Sequence, residues 1–275
     1  MDETREVLQL AERLARAAGE IQREQYETEL EIATKSSAVD LVTQVDRACE
    51  ALIVDALREE RSEDAVLAEE GGGTDRADAR WRWIIDPLDG TTNYAHGYPR
   101  FCVSIGVECR GVAEVGVVYD PLLDELYAAV RAGGATLNGR SIRVSKETEL
   151  GRSLVATGFY YDLRRNPKGN LDHFAAFLVK TRAVRRDGAA ALDLCYVAAG
   201  RLDGYWELRL HPWDVAAGRL IVAEAGGRVS DLAGAPAPAS GEQVVASNGR
   251  IHRAMLEILG TPSQGDSSAG GGSSS

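Results

Sequence analysis

No stretch of this chain approaches the ~18 consecutive apolar residues of a membrane-spanning helix, so no membrane partner is expected. The first six residues, Met-Asp-Glu-Thr-Arg-Glu, lack the basic start and apolar core of a secretory leader, and a cytoplasmic location is expected. Positive charge is in short supply: 31 Lys and Arg face 42 Asp and Glu, a formal net charge of −11. A surface that holds nucleic-acid backbone nonspecifically needs the opposite balance, so no direct nucleic-acid binding is expected. Cysteine is scarce. Cys49, Cys102, Cys109 and Cys195 form no C-x-x-C pair, sit among apolar neighbours, and read as buried free thiols of a reducing compartment. His96, His173, His211 and His252 show no zinc spacing, and no dinucleotide-binding glycine fingerprint occurs. His96 and His211 lie near acidic motifs, but structural roles are expected for both.

What remains is ordinary globular composition, 44% hydrophobic and 27% charged over 275 residues, which excludes disorder of the whole chain. Val7, Leu10, Ala11, Leu14, Ala18 and Ile21 repeat at helical spacing and predict an amphipathic helix over 2–25. A second helix is expected around Val45, Cys49, Leu52, Ile53 and Ala56, after a loop at Lys35-Ser-Ser. Extended runs follow at 81–86, 101–109, 112–119 and 125–130, the last three as an antiparallel meander. The second half alternates strands (153–157, 204–208, 244–247) with helices (171–179, 189–199, 215–225 and one ending at 259). Asp187 and Asn248 are placed to cap two of these helices, and Gly226-Gly227 closes another. Residues 261–275 hold one apolar side chain, Ala269, and read as a disordered tail.

Four acidic segments sit at the ends of these elements: Asp40-Leu-Val-Thr43-Gln-Val-Asp46; Glu69-Glu70 before Gly71-Gly72-Gly73; Asp86-Pro-Leu-Asp89-Gly90-Thr91-Thr92-Asn93; and Pro212-Trp213-Asp214. The third carries most chemistry. An apolar strand delivers Asp86, Pro87 stops sheet pairing, and Asp89 follows a turn. Gly90 lets backbone approach a ligand closely, and Thr91-Thr92 starts a helix whose free N–H groups suit an anion. Two carboxylates beside a phosphate cradle repel the phosphate unless a divalent cation intervenes, and Mg²⁺ is the hard, oxygen-seeking ion for that place. Taken alone, the other segments read more plainly: Asp46 as a solvated helix position, Glu69-Glu70 as an acidic turn, Asp214 as a helix cap.

Three decoys are set aside. Cys195-x₅-Arg201 has cysteine-phosphatase spacing but falls on a predicted helix, with Leu202 after the Arg. Gly134-Ala-Thr-Leu-Asn-Gly139-Arg140-Ser141 nearly matches a P-loop, yet Arg stands in place of Lys and no βαβ context surrounds it; a loop between extended segments is expected. Asp86-x-x-Asp89 is also one residue too long for a D-x-D phosphatase loop.

Asp86-Pro-Leu-Asp-Gly-Thr-Thr-Asn-Tyr94, preceded by Glu69-Glu70 and followed by Trp213-Asp-Val-Ala-Ala-Gly218 and Glu224-Ala-Gly-Gly227, resembles the inositol monophosphatase family. Ser36-Ser37, Asp40-Leu-Val-Thr43, Asp46, Asn138-Gly139 and Gly188-Ala-Ala-Ala191 fit as well, so the resemblance spans residues 5–258. It implies an α/β (α+β) layered α/β/α/β/α sandwich of the inositol monophosphatase and fructose-1,6-bisphosphatase type. Residues 1–260 would form one phosphatase domain, with an α+β half over 1–150 and an α/β half over 151–260. It further implies Mg²⁺-dependent, Li⁺-sensitive hydrolysis of a phosphate monoester and a homodimer.

Carried over position by position, Glu69, Asp86 and the Leu88 carbonyl would bind one Mg²⁺. Asp86, Asp89 and Asp214 would bind a second, with a weaker third ion near Glu69. Glu70, Thr91 and Asp46 would position and deprotonate the attacking water. Gly90 and Thr91 would hold the phosphate, and Asp89, Gly188, Ala189, Ala190, Glu207 and Asp214 would line the substrate site. Inositol 1-phosphate is the expected substrate, with Glu207 meeting a ring hydroxyl. Arg209 and Arg185-Arg186 keep fructose 1,6-bisphosphate, histidinol phosphate and a nucleotide 3′-phosphate open. A non-catalytic interaction protein is a further alternative, against which the intact set of acidic positions speaks.

Overall fold

The computed structural model describes residues 2–35, 41–160 and 170–260. Ser36, Ser37, Asp40 and the tail at 261–275 lie outside the described residues. Helix α1 (Asp2–Gln25) matches its predicted span and buries Val7, Leu10, Ala11, Leu14 and Ala18 along one stripe. A short hairpin of β1 (Ile32–Thr34) and β2 (Leu41–Thr43) leads into α2 (Gln44–Glu60). That helix opens with reciprocal capping. Thr43 Oγ1 accepts from Val45 N at 3.1 Å, and Asp46 Oδ2 accepts from Thr43 N at 2.8 Å. Such a cap stabilises a helix start by about 1 kcal/mol.

A seven-stranded sheet follows, built from β3 (Ala65–Ala68), β4 (Trp81–Asp89), β5 (Cys102–Cys109), β6 (Val112–Asp120), β7 (Glu125–Val130), β8 (Gly134–Leu137) and β9 (Arg140–Ser141), with α3 (Thr91–Ala95) between β4 and β5. The strands lie in sequence order, and only β3 and β4 run parallel. The second half supplies β10 (Leu154–Thr157), α4 (Asn170–Lys180), β11 (Ala183–Arg185), α5 (Ala190–Ala198), β12 (Gly204–Leu208), α6 (Pro212–Glu224), β13 (Arg228–Ser230), β14 (Gln243–Ser247) and α7 (His252–Leu259). Its five strands are ordered β11-β10-β12-β14-β13. Among the described residues no helix is long and apolar enough to cross a membrane.

The layers follow from which faces are apolar. Alternation along β6 sends Val117 to one core and Val118 to another, so the first sheet is buried on both faces. Helices α1 and α2 cover its outer face. Helices α5 and α6 fill the space between the sheets, where Leu192, Leu194 and Ile221 meet Tyr127 and Val244. Helices α4 and α7 cover the far face of the second sheet, with the Phe177 ring stacked on Trp206 at 3.9 Å. The result is the α/β/α/β/α sandwich. Two glycines set the seat of α6: a Cβ on Gly106 would lie 2.6 Å from Ala216 Cβ, and one on Gly116 2.7 Å from the Ala217 carbonyl oxygen.

Several expectations are corrected. Strand β4 runs three residues past its predicted end, because pairing with β5 resumes at Asp89 after a register shift. The P-loop-like segment is a strand hairpin, β8–β9 turning at Asn138-Gly139, whose φ values of 48° and 74° form a turn rather than an open loop. Asp187 does not cap α5; the cap residue is Ala189, and Asp187 faces Arg100 at 3.9 Å. Asn248 Oδ1 accepts from Arg250 N and Ile251 N, so it holds the turn before α7 rather than the helix start at His252. Cys109 is only half-buried, while Cys49, Cys102 and Cys195 are buried free thiols.

Candidate active site

The site forms where β4 meets the seam between the two sheets. The register shift between Asp86 and Asp89, at a proline that donates no hydrogen bond, turns both carboxylates toward one cavity. Gly90 follows with φ 95°, a conformation that favours glycine, and starts α3. The cavity holds about 330 Å³. Its acidic end is lined by Glu69, Asp86, Leu88, Asp89 and Asp214, the last brought in by the first turn of α6.

Each of these carboxylates is anchored to the protein. Asp86 Oδ1 accepts from Leu88 N at 3.0 Å, Asp89 Oδ2 from Ala191 N at 2.7 Å, and Asp214 Oδ2 from His211 N at 2.7 Å. Lys35 Nζ donates to Glu69 Oε1 at 2.7 Å and also to Glu70. Burial, reinforced by the neighbouring carboxylates, pushes Asp86 and Asp214 well above the usual carboxylate range and Asp89 up to about 7. Among the described residues, no three His, Cys, Asp or Glu side chains already close around one point that would hold a metal ion. The donor chemistry nevertheless fits a hard divalent cation. The set is all oxygen, four carboxylates and a backbone carbonyl in one cavity, where burial first and mutual repulsion second disfavour the charges that a bound cation would balance.

Behind this end lies a second tier. Asp46 is fully buried, not solvated, because its two oxygens serve both the α2 cap and Thr91, whose Oγ1 lies 2.8 Å from Asp46 Oδ1 and 3.0 Å from the Leu88 carbonyl oxygen. Glu70 is pushed up to about 7 by burial, with Lys35 opposing the shift. Glu50 was not foreseen. Its carboxylate accepts from Glu70 N and Gly72 N, each at 2.7 Å, and so fixes the loop that carries Glu69 and Glu70. Each glycine of that loop has its own reason: Gly71 has φ 92°, a Cβ on Gly72 would meet Glu50 Oε1 at 2.7 Å, and one on Gly73 would meet the Val66 carbonyl oxygen at 2.4 Å. The available signal was the four-residue step from Asp46 to Glu50, which places both on one face of α2.

The opposite end is differently furnished. Glu207 is 8% exposed and accepts from Tyr205 Oη at 2.5 Å. Its carboxylate rests where a Cβ on Gly158 would otherwise be, only 2.1 Å away. Burial raises Glu207 to about 7, against the pull of Tyr205 and Arg186. Arg186, Arg209, Tyr160, Gly188 and Ala190 line the same end, and Asn93 Nδ2 ties the Gly188 loop to α3 by donating to the Asp187 carbonyl at 2.8 Å.

Glu69, Asp86, Leu88, Asp89, Gly90, Thr91, Gly188, Ala190, Glu207 and Asp214 are thus brought together on one cavity. Ala189 is not: at 1% exposure it is packed as the cap residue of α5 and does not line the cavity. His211 does line it, stacked on Trp213 at 4.9 Å, whereas His96 does not. Cys195 is buried in α5 with its thiol pushed far up, and Arg201 is paired with Glu125, which leaves no cysteine-phosphatase site.

Comparison with known proteins agrees with this geometry. The profile of the inositol monophosphatase family matches residues 3–262. An inositol-1-monophosphatase from Synechocystis sp. is 46% identical over 234 residues, covering 85% of this chain and 82% of that protein. A Nus factor SuhB from Escherichia coli (strain K12) is 43% identical over 251 residues, covering 91% and 94%. The solved structure of an inositol monophosphatase from Anabaena (Nostoc) sp. superposes with a TM-score of 0.85 at 42% identity, covering 94% of this chain and 98% of the other. The chain belongs to the inositol monophosphatase family.

Proposed function

We propose that the protein is a Mg²⁺-dependent phosphatase that hydrolyses a small phosphate monoester, with inositol 1-phosphate among its substrates. The observation that carries this reading is the convergence of Glu69, Asp86, Asp89 and Asp214 beside Gly90 and Thr91. Glu69, Asp86 and the Leu88 carbonyl would hold one Mg²⁺; Asp86, Asp89 and Asp214 a second; and Glu69 a weaker third. When bound, Mg²⁺ supplies a lowered pKa for coordinated water and offsets charge on attacking and leaving oxygens.

The protein groups do the rest. Gly90 and Thr91 N–H groups hold the phosphate. The single Thr91 hydroxyl hydrogen is shared between Asp46 and the Leu88 carbonyl, which leaves the lone pairs of its oxygen to accept from a water. Glu70, whose pKa burial raises to about 7, takes the proton of that water in its ionised form. Glu207 accepts a hydrogen bond from a hydroxyl of the leaving alcohol. Because the cavity draws Glu69 and Asp86 from the first half and Glu207 and Asp214 from the second, residues 1–260 act as one catalytic domain in this reading, as a homodimer.

Relatives named Nus factor offer a second reading, an interaction protein without catalysis; the complete carboxylate set favours the enzyme. Phosphate release from inositol 1-phosphate should require Mg²⁺, fall to background in excess EDTA, and be inhibited by Li⁺. Turnover that persists undiminished in EDTA would overturn the metal assignment.

A further inference from the structure

The seam between the two halves holds a buried ion pair that the proposed chemistry does not use. Arg100 stands two residues before β5 and is 8% exposed, and its Nη2 donates to Asp193 Oδ1 at 3.1 Å. Asp193 is 1% exposed, in the first turn of α5. The guanidinium lies over the Tyr196 ring, 4.0 Å from its centre, and 3.9 Å from Asp187. Its Nε is buried and meets no hydrogen-bond partner among the described residues.

Such a pair is a poor way to hold a fold together. The attraction between two charges taken out of water offsets little more than their desolvation, and apolar side chains of similar volume often stabilise as well or better. The unpartnered Nε adds to the cost. Burial pushes Asp193 well above the usual carboxylate range even though Arg100 opposes the shift. What the pair supplies that apolar packing does not is direction. A planar guanidinium stacked on a ring and aimed at a carboxylate fixes both distance and angle between the segments that carry them.

Both of those segments border the cavity. The Arg100 carbonyl oxygen lies 2.8 Å from where a Cβ on Gly90 would be, so the chain at Arg100 backs the phosphate cradle directly. The same carbonyl accepts from Asn93 Nδ2 at 2.7 Å, and that nitrogen also donates to the Asp187 carbonyl at 2.8 Å. On the other side, Asp193 shares the first turn of α5 with Ala190, which lines the cavity, and with Ala191, whose N–H donates to Asp89 at 2.7 Å. Arg100 therefore holds the cradle through its backbone and α5 through its side chain.

Resting on the phosphatase reading above, we propose that Arg100 and Asp193 are positioning residues of the reaction. Their buried pair sets the distance from the phosphate cradle at Gly90 to the first turn of α5, and through Ala191 it aims the Asp89 carboxylate at its metal. Neither side chain lines the cavity.

The test replaces the pair by apolar side chains of similar size, Arg100→Met together with Asp193→Leu, and reads stability and function separately. Arg100→Met alone should lower the melting temperature sharply, because Asp193 is left buried and unpaired. The double variant should regain the wild-type melting temperature or exceed it. Its kcat for inositol 1-phosphate should nevertheless stay at least ~10-fold low, with a smaller change in KM, as when an outer support of a metal site is removed. The Mg²⁺ concentration that gives half of the Mg²⁺-induced rise in melting temperature should increase at least ~10-fold as well. A stable double variant with kcat and Mg²⁺ midpoint both within ~2-fold of wild type, the scatter of changes that do not communicate, overturns the proposal and leaves the pair merely structural. If the double variant does not fold, Arg100→Lys decides. It keeps a charge beside Asp193 but not the planar fork over Tyr196, and it should show both losses in smaller measure; wild-type values for both overturn the proposal. If the wild type turns over no phosphate ester with Mg²⁺, the phosphatase reading fails, and the Mg²⁺ midpoint alone judges the pair. A wild-type melting temperature that Mg²⁺ does not move removes the metal site, and the proposal with it.

Discussion

The two ends of the cavity are supported in different ways. At the acidic end the side chains assigned to chemistry are backed by others: Thr91 by Asp46, Asp46 by the cap of α2, and the backbone of Glu70 by Glu50. At the far end, Glu207 leans on Tyr205 and a glycine, and the arginines reach in from loop and strand ends. The difference teaches where each kind of work is placed. Bond-breaking needs atoms held to within fractions of an ångström, and recognition can be altered by one side chain at a time.

The comparison is broken most strongly at Glu70. Glu70→Gln should lower kcat by ~10²–10⁴-fold, the usual contribution of a general base, while Mg²⁺ dependence stays nearly unchanged. A large shift in Mg²⁺ requirement at constant kcat would make Glu70 a ligand instead. Asp89→Asn should cost at least ~100-fold in activity, since even indirect supports of a metal site cost ~10–100-fold. The same change should raise the melting temperature of the metal-free protein by removing one charge from the repelling group. Retention of near wild-type kcat at saturating Mg²⁺ would contradict it.

Glu50→Ala tests the support itself. It should reduce kcat by ~10–100-fold with a smaller change in KM, and Glu50→Gln, which keeps one acceptor oxygen, should recover part of the loss. Equal defects in both variants would make Glu50 merely structural. At the far end, Glu207→Ala should lower kcat/KM for inositol 1-phosphate ~10-fold more than for a simple aryl phosphate.

The smallest effect is on stability. Burial raises Asp86 above the usual range and Asp89 and Glu207 to about 7, so the folded metal-free protein holds more protons than the unfolded chain between the ordinary carboxylate range and that value. Its stability should fall as pH rises through this window. Metal-free protein should therefore melt higher at pH ~5.5 than at pH ~8, and Mg²⁺ at the higher pH should remove most of the difference. A metal-free melting temperature that rises with pH would contradict the assignment.

The same contrast explains what was legible in the sequence. The Asp86–Asn93 segment announced itself because proline, glycine and paired carboxylates at a strand end meet few other needs. Helix α1 was readable because its stripe is long and regular. Glu50 was hidden because its partners are backbone N–H groups 20 and 22 residues away, which leave no side-chain signature. Asp46 looked solvated because its helix position is the first turn, and only the tertiary approach of Thr91 buries it. Asp187 looked like a cap, but Arg100 draws near it. Ala189 was assigned to the substrate through its neighbours in the motif, and the chain turns it inward at the cap of α5.

The seat of α6 has a consequence for how far the molecule can drift in sequence. Asp214 lies about one helical turn from Ala217, where the helix backbone rests on Gly116 with no space for a methyl group. Sheet and helix are therefore spaced like parts on a shared gauge block, and a carboxylate from one half of the chain meets those of the other only at that spacing. Side chains elsewhere between the sheets can be exchanged for others of similar volume. At Gly106 and Gly116 even the smallest enlargement would lift the helix and carry Asp214 away from β4, so the reach of the reaction centre is set by two residues that never touch it.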